Sequence, residues 1–152
     1  MPDRVNALFF ELFNEVGIIE QLSRAMFEAR LPRGMLVSHF AVLNHLIRVK
    51  DGRTPLELAR AFQVAKTTMT HTLSVLERHE LIDMQPNPAD KRSKLIFISG
   101  AGRAFRERAI TSLQPDIRQL SQRYDPAKVE HVLPLLTELR RLLDDQRSAA
   151  PR

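Results

Sequence analysis

Thr54-Pro55-Leu56-Glu57 fixes a helix start more firmly than any other stretch in the first half of the chain. A Thr N-cap, a Pro at the first helical position and a Glu three residues after the cap satisfy the orphan amides of a helix start reciprocally. The short link Gln63-Val64-Ala65 then separates this helix from a second helical pattern, about Lys66 to His79, whose apolar side is Met69, Leu73 and Leu76. Next come two stretches with strand character, Leu81 to Gln85 and Lys94 to Ser99. Between them lies the turn-rich run Pro86-Asn87-Pro88-Ala89-Asp90-Lys91-Arg92-Ser93, so the spacing predicts one β-hairpin with a long charged tip.

The flanks are helical. Val5, Leu8, Phe9, Leu12, Phe13, Val16, Ile19, Leu22 and Met26 recur at steps of three and four, the pattern of one long amphipathic helix stopped by Pro32 and Gly34. A further helix spans about Val37 to Arg48, ahead of the turn Lys50-Asp51-Gly52-Arg53. Ser99 caps a helix from about Ala101 to Tyr124, bent or interrupted near Pro115, and Asp125-Pro126 opens a last one to about Gln146 that Pro134 should kink. The expected fold class is mainly α with a small β-hairpin wing. Residues 1–152 are expected to form a single chain, with a central region 37–99 between long N- and C-terminal helical flanks at 4–31 and 101–147.

Composition narrows the function. A chain of 152 residues that is 43% hydrophobic has room for one core and no second independent domain. Twenty-three Lys and Arg against 18 Asp and Glu favour contact with a polyanion without identifying one. The absence of Cys removes thiolate chemistry, Cys-based zinc sites and thiol redox sensing, and fits a reducing cytoplasm. No signal peptide and no apolar stretch approaching the roughly 20 residues of a membrane span is visible, so the chain reads as a soluble cytoplasmic protein with no membrane partner.

On a wheel of the 66–79 helix, Thr67, His71, Ser74 and Arg78 fall opposite the apolar stripe, with Lys66, Thr68 and Thr70 on its flanks. Short polar side chains let a helix lie deep in the major groove, where long acidic ones would be repelled. Beside it the hairpin tip carries Lys91, Arg92 and Lys94. Arg92 is the first candidate, because a guanidinium on a hairpin tip suits the strong negative potential of a narrow minor groove, with Asp90 orienting it. A solvated helix face and an exposed loop arginine remain the plain alternatives for these two elements.

These residues carry a resemblance. The stretch Leu58-Ala59-Arg60-Ala61-Phe62 through Thr70, then Leu76-Glu77-Arg78-His79-Glu80-Leu81-Ile82, and the spaced set Asp90, Arg92, Ser93, Ile98, Ser99 and Gly102 resemble the MarR family of winged helix-turn-helix regulators. The resemblance covers the central half closely and the outer helices in layout only. It implies that the 66–79 helix reads double-stranded DNA and that the hairpin is the wing. It also implies a single winged-helix chain over 1–152, in which 37–99 is the DNA-binding region and 4–31 and 101–147 are dimerisation helices that interlock in a homodimer. Three positions depart from the family pattern: Ala65 replaces a Ser N-cap, Glu80 a Gly after the reading helix, and Gln85 a basic residue at the wing base.

The implied activity is a sequence-specific transcriptional regulator, a repressor on a pseudo-palindromic operator with half-sites about 34 to 36 Å apart. Release by a small aromatic or phenolic effector is a further implication, with Phe13, His39, Phe40, Leu43 and Phe105 as pocket lining by location. The alternative is an α-helical ligand- or protein-binding dimer that has lost DNA binding. No phosphate-cradling Gly-rich loop, nucleophile elbow or metal motif points to an enzyme, and no cofactor is called for. His39, His45, His71, His79 and His131 include no pair at four-residue helical spacing and have no Cys to assist them, so no metal site is expected.

Overall fold

Thr54 caps its helix reciprocally, as the sequence predicts. Its Oγ1 accepts from the Glu57 N–H at 3.2 Å, while Glu57 Oε2 accepts from the Thr54 N–H at 2.9 Å. The computed structural model describes residues 2–149. Its elements are α1 (Pro2–Glu28), α2 (Val37–Arg48), α3 (Pro55–Phe62), α4 (Lys66–Arg78), β1 (Ile82–Pro86), β2 (Lys94–Ile98), α5 (Gly100–Ser112), α6 (Gln114–Ser121) and α7 (Pro126–Ala149). They divide into two compact units, one up to Leu113 and the other from Gln114 onward.

In the first unit, Leu43 and Leu46 of α2, Leu58 of α3, Leu73 and Leu76 of α4 and Ile96 of β2 are almost wholly buried in one cluster. Each such side chain contributes about 1.5 to 3 kcal/mol relative to exposure. The strands pair antiparallel in a register that sets Ile82 opposite Ile98 and Pro86 opposite Lys94, so β1 extends one residue past the expected Gln85. Arg53 adds an isolated bridge to Ile96 on the other edge of β2. α5 lies in this unit: Phe105 and Ala109 are buried in the same core, and Gly102 is buried at the start of the helix.

In the second unit the expected interruption near Pro115 is real, with α5 ending at Ser112 and a new helix opening at Gln114. Pro115 then sits in the first turn of α6, where its missing N–H is harmless. Pro134 lies inside α7, which continues through it without a break.

Glu80 ends α4 in the left-handed region, with φ at 58°. The Leu81 N–H donates to Leu76 O at 3.0 Å and the Glu80 N–H to Glu77 O at 2.9 Å, the paired bonds of a Schellman cap that glycine normally supplies. A side chain at this φ costs roughly 1 to 2 kcal/mol, so Glu80→Gly should stabilise the fold by about 1 kcal/mol. Gly102 is constrained in the opposite way, since a Cβ there would overlap the Leu81 carbonyl oxygen and meet Ile98 Cγ1 at 2.8 Å. Gly102→Ala should therefore destabilise by about 1 to 3 kcal/mol. Urea unfolding of both variants checks the two signs, and a neutral Gly102→Ala would refute the close packing.

Candidate nucleic-acid interface

The wheel drawn from sequence holds along α4. Lys66, Thr67, Thr68, Thr70, His71, Ser74 and Arg78 are exposed, and Met69, Thr72, Leu73, Val75 and Leu76 are buried. Thr72 turns inward and its hydroxyl donates to Thr68 O at 3.1 Å, which removes it from the polar face. The preceding link works because Gln63 takes a left-handed conformation with φ at 53°, letting the chain turn sharply between α3 and α4. No side chain caps α4 at Ala65, so its start lacks the hydrogen bond that a Ser at that position would supply.

The wing tip shapes itself. Asn87 Nδ2 donates to Ser93 Oγ at 3.0 Å, and Asn87 Oδ1 accepts from the Ala89 N–H at 3.0 Å. Asp90 Oδ1 accepts from the Arg92 backbone N–H at 2.9 Å, and its carbonyl accepts from the Ser93 N–H at 3.1 Å. Asp90 thus orients Arg92 chiefly through the main chain. Its carboxylate lies 3.7 Å from the guanidinium, which is 95% exposed, so the ion pair is weak and leaves Arg92 free to reach outward. Lys91 and Lys94 are also exposed.

The effector set proposed from sequence does not gather in one place. Leu43 and Phe105 are core residues, 0% and 7% exposed, and Phe13 lies on the exposed surface of α1. His39 is an internal cap: Nδ1 of this buried ring accepts the Leu36 N–H at 2.8 Å at the start of α2. Phe40 does line a cavity, a groove of about 360 Å³ that also takes in Phe27, His45, Arg48 and Phe62. Phe27 and Phe40 meet edge to face at 4.6 Å, and His45 Nε2 is buried without a hydrogen-bond partner.

Two residues escaped sequence reasoning. Asn87 was visible only as part of a turn-rich loop, although an Asn whose side chain accepts a later backbone N–H is a known turn former. Asp51 appeared only in the turn after α2, yet its Oδ1 accepts the Ile98 N–H at 2.9 Å across 47 residues of sequence, a contact that no local pattern signals. Among the described residues, no group of three His, Cys, Asp or Glu could hold a metal ion, and no helix is long and apolar enough to cross a membrane.

A short α3 and α4 joined by a tight link, followed by a two-stranded wing that returns into α5, define a winged helix-turn-helix. Residues 33–93, the region from before α2 to the wing tip, match the model of the MarR family. It is 30% identical to the transcriptional activatory protein BadR of Rhodopseudomonas palustris over 74% of this chain. That match spans 62% of the relative's length. The HTH-type transcriptional repressor YetL of Bacillus subtilis is 27% identical over 87% of this chain and 78% of its own. A mutant MarR from E. coli, solved in complex with operator DNA, has the same fold, with a TM-score of 0.68, 23% identity, and coverage of 86% of this chain and 94% of that one.

Burial holds the His39 pKa below its ordinary value of 6.5, and the nearby His71 of α4 and His79 at its C-terminal cap lower it further. His39 is therefore neutral in the fold and charges more readily once unfolded. Its contribution to stability is complete above pH 6.5 and is lost as pH falls from there through its lowered folded pKa. Unfolding free energies measured from pH 7.5 to about 5 should decline across this window, and less steeply in His39→Gln. Parallel slopes for the two proteins would remove His39 as the cause. His45, lowered by burial and then by Arg53, should contribute in the same direction to any decline that persists in the variant.

Proposed function

We propose that this chain is a double-stranded DNA-binding transcriptional regulator without catalytic activity. Lys66, Thr67, Thr68, Thr70, His71, Ser74 and Arg78 of α4 meet base edges and phosphates in the major groove. Lys91, Arg92 and Lys94 of the wing meet the flanking backbone and minor groove. The observation that carries this reading is the wing tip, where an almost fully exposed arginine projects from a loop that hydrogen-bonds to itself and so enters a complex without first having to be ordered. The E. coli structure with operator DNA supports the same docking for a protein of this fold.

The regulator acts as a homodimer on a pseudo-palindrome. On α1, Leu8, Phe10 and Leu22 are 64%, 72% and 68% exposed, and α7 buries none of its residues within a single copy. Apolar surface on this scale calls for a partner, and a second copy supplies it through a two-fold interface. Repression by occupying the operator is the proposed mode. The B. subtilis relative is named a repressor and the R. palustris relative an activatory protein, so a promoter-reporter measurement with and without the protein decides the sign. A small aromatic or phenolic effector is assigned to the groove beside Phe40, where the unpartnered His45 nitrogen offers a polar anchor.

Fluorescence anisotropy against DNA from upstream of its own coding region and against scrambled DNA, at two salt concentrations, tests the reading. Sequence-preferring, salt-sensitive binding is expected, with Arg92→Ala costing about 1 to 3 kcal/mol. Equal weak binding to both DNAs, unchanged by the substitution, would sink the regulator reading and leave a partner-binding dimer in its place.

A further inference from the structure

We infer that Asp51 is the positioning residue that holds the wing at its angle to α4; its consequence for DNA rests on the function proposed above. A two-stranded hairpin is marginal by itself, so something outside it must fix its direction. The outer edge of β2 receives one backbone rung from the turn after α2, in which the Gly52 N–H donates to Ile96 O at 3.0 Å and the Ile96 N–H donates to Arg53 O at 2.7 Å. The next outward-facing amide on that edge belongs to Ile98, two residues on. No backbone carbonyl of the turn meets it. The Asp51 carboxylate does, with Oδ1 accepting from Ile98 at 2.9 Å and from the Gly52 N–H at 3.1 Å.

The second carboxylate oxygen lies 3.8 Å from Arg103 Nη2 on α5. One side chain thus ties the turn after α2, the base of the wing and the first turns of α5 together. The turn is also pressed against the wing, because Gly52, at a φ of 71°, has the Phe97 ring 2.8 Å from where its Cβ would stand. Removing the carboxylate strands the N–H of a residue only 7% exposed, at the root of the hairpin whose far end carries Arg92. The Arg103 pair is half in solvent and contributes less than the two accepted N–H bonds.

Two variants separate these parts. Asp51→Asn keeps an oxygen able to accept both N–H groups and loses the charge facing Arg103, whereas Asp51→Ala loses both. In hydrogen exchange on the free protein, Asp51→Ala should speed exchange of residues 82–98 by about tenfold or more while the buried part of α4 stays protected, and Asp51→Asn should remain close to the native pattern. Should Asp51→Ala fail to fold, Asp51→Glu, which displaces the carboxylate by one methylene, should raise wing exchange in the same selective way. On DNA, Asp51→Ala should lose most of the affinity that Arg92→Ala loses, and the double variant no more than the larger single loss. Unchanged wing exchange, or fully additive losses on DNA, would overturn the inference. If the native chain binds no DNA selectively, the proposed function fails, and wing exchange alone decides whether Asp51 holds the wing.

Discussion

The junction of α4, the wing and α5 depends on the peptide group of Leu81. Its N–H closes the end of α4 on Leu76 O, and its carbonyl accepts the Ser99 N–H at 3.1 Å where β2 ends. Ser99 in turn donates its hydroxyl to Glu80 O at 2.7 Å and accepts from Gly102 N at 2.9 Å to cap α5. The end of α4, the start of β1, the end of β2 and the start of α5 therefore meet within a few ångströms. Only a residue without a side chain fits at position 102, because the Leu81 carbonyl already occupies the space. α4 and the root of the wing are consequently parts of one joint.

This joint explains what was legible in the sequence and what was not. The capping box at Thr54, the polar face of α4 and the hairpin could be read because each is written in residues within a few positions of one another. The extents of the strands and the break after α5 were readable to within a residue or two for the same reason. The path of α5 was not: Phe105 and Ala109 look like any apolar helical stripe, and only the fold reveals that they pack into the core with α2. The departure of Glu80 from glycine was legible, and the structure places it in the left-handed region. Its tolerance rests on Leu81 being buried and bonded on both sides, which no local rule encodes.

The candidate interface was more legible than the candidate pocket, for a physical reason. Side chains that meet a polyanion must be polar, exposed and phased on one face, and a wheel finds those conditions directly. Pocket lining is apolar like core, so His39, Leu43 and Phe105 could not be told from structural residues, and structural is what they are. Phe40, half-buried, does border a groove, beside side chains from α1 and α3 that lie far from it in sequence.

The terminal helices carry a different consequence. A single copy keeps Phe10 and Leu22 largely in water, and a surface of that kind is what chaperones and proteases engage in a cell. Under the proposed pairing, copies too dilute to find one another are the ones removed, because stability is then inseparable from protomer concentration. The working pool would rise more steeply than its rate of synthesis, and the chain would set a lower threshold on its own abundance before any promoter is involved.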